Sequence, residues 1–373
     1  TLGEENTRSM AANDDLFQLI KSLEPNEKRY FRLFASRNST AEEANYVLLF
    51  DEFDRQEEYD EEKLKKKLSA KKEGKTIALY LSAEKKALHN AVMRAMRNYH
   101  GDKTVDMQLN ELLTDELFYH GKSLYDLQSK ALYKAKKLAV EYEKFPALLT
   151  ILQREAKMLI ERKTKDYDEV RSRVHKEEKQ LLEKIINESE LRLLKDDVFI
   201  DSRAGANIRD KNFQEELDEK VKGLLAKKED DALSFHARIY YHSAMRAYCR
   251  LKSDVKKAWE HSRSIVNLYE ANTAIKDEYS LQYKIALANY LGACHVTQKY
   301  NEFEVVLNKL KTTPAKSLDE AGEVFQGTVL YELLYYMNTG KFNEAVKAIP
   351  DIEKGMKLYA SKINKGSEIA IYY

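Results

Sequence analysis

Proline, glycine and cysteine are all scarce in this chain of 373 residues, with four, twelve and two copies respectively. Glycine and proline interrupt helices and build the tight turns between strands, so their scarcity favours long helices joined by short loops. Two cysteines, Cys249 and Cys294, are too few for a disulfide framework and suit the reducing cytosol. We therefore expect an all-α, cytoplasmic protein.

Long apolar runs and an excess of charge of one sign are also absent. The longest apolar stretches, such as residues 77–81, are far shorter than the roughly 20 residues of a membrane-spanning helix. The 63 basic and 62 acidic residues leave a net charge of +1, so no global field attracts the chain to nucleic acid or to a membrane. We expect no membrane partner.

Sequence patterns for catalysis and metal binding are missing too. No Gly-x-Ser-x-Gly elbow occurs. Residues 69–76 have the outline of a phosphate-binding loop, but Ser69 replaces the first glycine and a lysine-rich helix precedes the loop. The eight histidines show no ligand grouping, and His236 and His242 are six residues apart, on different sides of a helix. We therefore expect no enzyme, no cofactor and no metal site.

A recurring turn organises the C-terminal two-thirds of the chain. The string Gly340-Lys341-Phe342-Asn343-Glu344-Ala345 separates two apolar helical segments, as in the turn of a helical hairpin. Similar strings recur upstream, and their apolar anchors are separated by 43, 46, 42, 45 and 42 residues: Leu124, Tyr167, Phe213, Val255, Tyr300 and Phe342. This period predicts a series of stacked hairpins.

The period predicts six hairpins. Their first helices are expected at 105–120, 146–163, 188–200, 232–251, 279–297 and 321–339. Their second helices are expected at 123–142, 166–186, 213–227, 254–271, 301–311 and 342–360. Residues 201–211 are interpreted as a loop, and Pro350 should kink or end the last helix. Cys249 and Cys294 each lie six residues before a turn anchor, so we expect both to be buried packing residues.

The hairpins resemble tetratricopeptide repeats. Gly340, Phe342 and Ala345 match that family's turn in order, and residues 289–293 resemble its Leu-Gly step. The period of 42–46 residues exceeds the family's usual 34, and most units lack its tryptophan. The resemblance covers roughly residues 104–373 and implies a right-handed α-solenoid of about six hairpins.

Residues 11–103 do not share this period and predict a small helical N-terminal domain, with helices near 14–23, 26–35 and 41–55. Residues 42–61 have a net charge of −8, and residues 62–103 have a net charge of +8. These helices either face each other and water, or the second segment forms a basic patch for phosphate or an acidic protein. The patch would comprise Lys63, Lys65, Lys66, Lys67, Lys71 and Lys72.

Both ends of the chain carry expectations of their own. Residues 1–10 lack a hydrophobic signal core and resemble a vector-derived leader that ends at a natural start, Met10. Residues 367–373 resemble the first helix of a further hairpin, so we expect the repeat domain to be truncated there. An unpaired hairpin face would otherwise leave apolar surface in water.

The resemblance implies a protein-binding scaffold whose first helices line a concave surface for a segment of another protein. It places the candidate binding residues in the last three units: Ser243, Arg246, Arg250, Ala288, His295 and Asn338. Arg246 and Arg250 share a helix face. They either bind an acidic segment, or they only solvate the helix or bridge to nearby glutamates. The alternative function is a nucleic-acid-associated regulator that uses residues 62–103. The sequence does not specify an oligomeric state.

Overall fold

The computed structural model describes residues 15–36, 41–71, 74–101, 104–162, 167–203 and 211–360, together with residues 363 and 371. Every regular element in these ranges is helical, which confirms the predicted all-α class. The chain divides into two compact units, Thr1–Glu111 and Leu112–Tyr373. Across the ranges described, no helix combines the length and the apolar character needed to cross a bilayer.

The first unit packs its helices around an aromatic core. Its helices are α1 (Asp15–Ser22), α2 (Pro25–Ser36), α3 (Ala41–Asp54), α4 (Glu61–Ser69), α5 (Gly74–Leu79) and α6 (Leu81–His100). The first three agree with the helices expected from the sequence. Phe31, Phe50 and Phe53 are completely buried, and the ring centroids of Phe31 and Phe50 are 4.6 Å apart. Burial of these large apolar side chains drives the packing of α2 on α3.

The second unit is a succession of helices that pack in chain order. The division between the units falls within the first of them, α7. The helices are α7 (Val105–Gly121), α8 (Tyr125–Glu141), α9 (Phe145–Arg162), α10 (Tyr167–Arg203), α11 (Lys211–Lys220), α12 (Lys222–Leu225), α13 (Phe235–Leu251), α14 (Val255–Ala271), α15 (Thr273–Glu278), α16 (Ser280–Val296), α17 (Tyr300–Thr312), α18 (Leu318–Asn338) and α19 (Phe342–Leu358). The predicted bounds of the first, fourth, fifth and sixth hairpins agree with these helices to within three residues.

Neighbouring helices of the second unit form consecutive layers. α8 packs on α9, α9 on α10, α10 on α13, α13 on α14, and α14 on α16. α16 then contacts both α17 and α18, and α18 contacts α19. Each of these helices therefore packs against helices close to it in the chain.

Five of the described turns between these helices share one backbone conformation. Five residues have a positive φ, between 50° and 72°: Ser123, Glu143, Ser253, Gln298 and Gly340. The amide of the following residue donates to the carbonyl five positions earlier in every case, at 2.8–2.9 Å. This is the Schellman arrangement that satisfies free carbonyls at a helix end. Because four of the five residues are not glycine, the sequence shows this conformation most clearly at Gly340.

The predicted third hairpin is wrong in its first helix. Residues 188–200 are not a separate helix, because α10 continues through them for 37 residues without interruption. No glycine or proline lies near residue 187 to end the helix. Leu181 packs in the cluster with α9, whereas Leu191 and Val198 pack with α11, α12 and α13. One long helix thus serves two successive layers.

Two other expectations have clear outcomes. α19 does not end at Pro350 but continues to Leu358. Cys249 and Cys294 are both buried and unpaired, which confirms their packing role. Burial raises the pKa of each thiol to about 11, so both remain protonated at neutral pH.

The loop expected at 201–211 falls mostly on residues 204–210, and the expected C-terminal helix falls mostly on 364–370, outside the described residues.

A buried ion pair joins α16 to α18. Lys284 Nζ lies 2.5 Å from Glu320 Oε1, and the two side chains are 1% and 6% exposed. The same ammonium donates to the carbonyl of Pro314 at 2.5 Å. The hydroxyl of Ser280 donates to the carboxylate, and so does the amide of Lys316, at 2.5 Å. The two buried charges therefore compensate each other, and three neutral groups, the Ser280 hydroxyl, the Lys316 amide and the Pro314 carbonyl, complete their hydrogen bonds.

Two histidines meet between α13 and α14. His242 Nδ1 lies 2.9 Å from His261 Nδ1, so at least one ring is neutral when they share this hydrogen bond. Burial lowers the pKa of both rings, and the charge of His242 adds to the effect at His261, whose pKa is lowered to about 4.

We expect the free energy of unfolding to fall as the pH is lowered from about 6.5 to about 4. The pKa of His261 is depressed in the folded state, so the unfolded chain binds more protons throughout this interval. The stabilisation is complete above the unfolded pKa of about 6.5 and is lost toward the folded pKa. Urea unfolding of the wild type and of His261→Asn at pH 7 and pH 5 measures the effect. Between pH 7 and pH 5, the free energy of unfolding of the wild type should fall by about 1–2 kcal/mol more than that of His261→Asn. Equal falls for the two proteins would refute the assignment.

Candidate binding groove

A groove with two adjoining chambers runs along α13, α14 and α16. The larger chamber has a volume of about 440 Å³, and we call it the apolar chamber because Ile239, Tyr240, Ile265, Tyr269 and Ile285 line it. The smaller has a volume of about 300 Å³, and we call it the arginine chamber, after Arg246 and Arg250. Arg246, Ser262 and Asn289 line both chambers. The two chambers therefore meet at Arg246.

Arg246 is buried without a counter-charge. The residue is 9% exposed, and its Nε is buried without a hydrogen-bond partner. Burial, with a smaller contribution from the positive charge of Arg250, lowers the pKa of Arg246 to about 10. Within the described ranges, no acidic side chain forms an ion pair with it. Withdrawing a guanidinium from water without a partner is costly, so this arrangement needs an explanation.

Arg250 lies one helical turn beyond Arg246 and is exposed. It also has no acidic partner among the residues that the structure describes. The proposed bridging of these arginines to nearby glutamates is therefore not observed in this part of the chain. Two guanidinium groups separated by one turn leave an uncompensated positive charge in the arginine chamber.

The start of α13 is held firmly, which fixes the position of the groove. Ser234 caps the helix by accepting from the amide of Ala237 at 3.0 Å. The carboxylate of Glu143, in the turn before α9, accepts from the amide of Phe235 at 2.7 Å. Negative groups at a helix N-terminus are stabilised by its dipole. Arg246 therefore lies on a helix whose start is held by two hydrogen bonds, and not on a loop.

Tyr331 of α18 forms the far wall of the arginine chamber. A Cβ atom at Gly292 would lie 2.5 Å from the hydroxyl of Tyr331, so glycine is what lets this ring approach α16. Gly292 belongs to the segment that resembles the Leu-Gly step of the repeats. Gly292 therefore shapes the arginine chamber, in addition to letting α18 pack closely against α16.

Apart from Arg246 at the junction, the apolar chamber carries little charge. His236 stacks edge-on against Tyr279 with ring centroids 4.8 Å apart. Burial lowers the pKa of His236 to about 4, with the charge of Lys144 a smaller cause, so the ring is neutral at pH 7. The one lysine in its lining, Lys195, lies 2.8 Å from Asp196.

The structure brings together only part of the predicted site. Ser243, Arg246 and Arg250 line the groove. His295 is half-buried beside Tyr331, with ring centroids 6.4 Å apart, but it does not line either chamber.

The remaining predicted positions have structural roles. Ala288 packs against α18, because a Cβ at Gly327 would lie 3.0 Å from its methyl group. Asn338 is exposed and donates to the carbonyl of Leu334 in its own helix at 2.8 Å. Neither residue belongs to the groove.

Asn289 and Tyr331 are the residues that sequence reasoning missed. Asn289 lies 43 residues after Arg246, and Tyr331 lies 42 residues after Asn289, so both intervals match the period of the turns. Advancing from Arg246 by one period would have found Asn289, and advancing by a second period would have found Tyr331. Counting back from the turns instead selected Ala288, one residue away from Asn289.

The predicted basic patch of the first unit is partly neutralised by its own neighbours. Lys63 lies 3.0 Å from Asp60, Lys65 lies 2.9 Å from Glu61, and Lys71 lies 2.7 Å from Glu52. The other members are the exposed Lys66 and Lys67, and Lys72, which lies outside the described residues. These pairs leave less positive charge for phosphate than the sequence indicates.

Comparison of the chain with protein-family models, with curated proteins and with solved structures finds no match in any of the three. The established architecture is therefore the all-helical fold with sequential packing of helix pairs. In the portion of the chain that the structure covers, no three His, Cys, Asp or Glu side chains are grouped as metal ligands.

Proposed function

We propose that this chain is a non-enzymatic scaffold or adaptor that binds an acidic segment of another protein in the groove along α13, α14 and α16. The observation that carries the proposal is the burial of Arg246, 9% exposed, with no acidic partner in the described chain. A carboxylate from a partner would supply the missing counter-charge through two parallel hydrogen bonds. Arg250 would hold a second carboxylate one turn away.

The architecture that we propose around this groove is a right-handed α-solenoid of tetratricopeptide-like hairpins. Its support is the sequential packing of the helices and the recurrence of one turn conformation. Repeats of this kind present equivalent positions of successive first helices along one surface. Arg246, Asn289 and Tyr331 stand one period apart on α13, α16 and α18, as such a surface requires.

A capture experiment tests the proposed function. The double variant Arg246→Glu, Arg250→Glu reverses the charge of the arginine chamber, so it should lose the proteins that the wild type retains from a native lysate. The matched control is Arg238→Glu, Lys256→Glu, which makes the same change of charge at exposed positions of α13 and α14 outside the groove. Quantitative mass spectrometry should show at least a tenfold loss for the first variant only, because two charge-assisted contacts are removed. Equal retention by both variants would exclude the groove as the binding site.

A further inference from the structure

The apolar chamber and the arginine chamber require different chemistry from whatever occupies them. Aromatic and branched aliphatic side chains dominate the first, and its histidine, His236, is uncharged at neutral pH. The second holds two guanidinium groups and no acidic residue in its lining. A ligand that fills both must therefore present apolar surface at one end and negative charge at the other.

The junction between the chambers fixes how close these two features must be. Arg246 lines both chambers, so a carboxylate paired with it lies directly beside the mouth of the apolar chamber. Successive residues of an extended chain are about 3.3 Å apart. A side chain that enters the apolar chamber therefore belongs to a residue next to, or one removed from, the residue that carries the carboxylate.

The polar groups at the junction support a peptide rather than an isolated side chain. Asn289 is half-buried, lines both chambers and has no partner among the described residues. Its amide can donate to and accept from a peptide backbone that passes between the chambers. The hydroxyl of Ser262 already donates to the carbonyl of Ala258 at 2.8 Å, so it can only accept.

We infer that the bound segment contains a large apolar residue, aromatic or branched, within two positions of an aspartate or glutamate. This inference rests on the proposed function and specifies its ligand. The apolar side chain occupies the chamber of about 440 Å³ lined by Tyr240, Tyr269 and Ile285. The carboxylate pairs with Arg246, whose Nε has no other partner. A uniformly acidic tail would leave the apolar chamber unfilled, and a purely apolar segment would leave Arg246 unpaired.

Selection from a displayed library of random twelve-residue peptides tests this inference without assuming a partner. The wild-type chain serves as bait, and Arg246→Met removes peptides that do not need the guanidinium. The enriched sequences should share an aromatic or branched residue within two positions of an acidic one. Enrichment of acidic peptides without an apolar residue would overturn the inference but leave the proposed function intact. Failure to enrich any peptide over Arg246→Met would overturn both.

Affinities of one enriched peptide then assign each feature to its chamber. Replacing its acidic residue by the matching amide should weaken binding to the wild type at least tenfold and binding to Arg246→Met hardly at all. Replacing its apolar residue by alanine should likewise weaken binding to the wild type about tenfold. That loss should shrink on Ile285→Asn, whose altered side chain is 45% exposed and so leaves the fold intact. Equal losses on the wild type and on both variants would show that the peptide binds elsewhere, which overturns the inference.

Discussion

Replacing Arg246 by methionine is expected to stabilise the protein while it abolishes binding of the acidic segment. The residue is 9% exposed, its Nε is buried without a hydrogen-bond partner and it has no acidic partner in the described chain, so folding removes hydration without a compensating ion pair. Methionine is similar in length and adapts to irregular space. Substituting a buried charge by an apolar side chain often stabilises a protein, here by about 1–2 kcal/mol. For a unit of this size, the thermal midpoint should rise by roughly 2–4 °C per kcal/mol.

Arg250→Met provides the matched control, because Arg250 is exposed on the same helix. An exposed substitution should change the free energy of unfolding by less than about 0.5 kcal/mol. Thermal unfolding followed by circular dichroism compares the two variants with the wild type. A fall in the midpoint of Arg246→Met would mean that Arg246 stabilises the fold, and a role in packing would then replace the proposed role in binding. A substitution that raises stability while it abolishes binding is typical of a residue retained for function.

Replacing Lys284 by alanine is expected to have the largest effect on stability. The change leaves the carboxylate of Glu320 buried, 6% exposed, without the ammonium 2.5 Å away. It also removes the donor to the carbonyl of Pro314. Breaking a buried ion pair by removing one partner costs about 3–5 kcal/mol. Urea denaturation should therefore show a marked fall in the midpoint concentration.

A surface pair in the same unit supplies the control for this effect. Lys309 lies 2.6 Å from Glu270, but the two side chains are 43% and 33% exposed. Lys309→Ala should cost less than about 1 kcal/mol, because water replaces the lost partner. Lys284→Met combined with Glu320→Leu should recover much of the loss, since no charge then remains buried. If Lys284→Ala were as mild as Lys309→Ala, the junction of α16 and α18 would have to be open to water.

The hairpins could be predicted from the sequence because one local arrangement recurs at several of their turns. The apolar anchors Val255, Tyr300 and Phe342 each follow a residue with positive φ by two positions, so the turns at 253, 298 and 340 leave a period in the chain. The fused helix α10 could not be predicted in this way. A period shows where turns can occur. The absence of glycine and proline near residue 187 is what indicates that no turn forms there.

The candidate site was predicted less completely, for a physical reason. A spacing of four residues places Arg246 and Arg250 on one helix face whether that face is open or buried. Burial depends on the neighbours, and Tyr331 contributes from 85 residues further along the chain. Its approach depends in turn on the absence of a side chain at Gly292. Such contacts between distant residues leave no local signal in the sequence.

The most direct test of the central claim is the nuclear magnetic resonance signal of the Arg246 Nε–H group. Protein labelled with ¹⁵N-arginine gives this signal, and its absence from the spectrum of Arg246→Met assigns it. Addition of the bound segment should shift the resonance strongly and slow its exchange with water, because a carboxylate then accepts from Nε. The signal of the exposed Arg238 should not change. Binding of the segment with an unchanged Arg246 resonance would contradict the account.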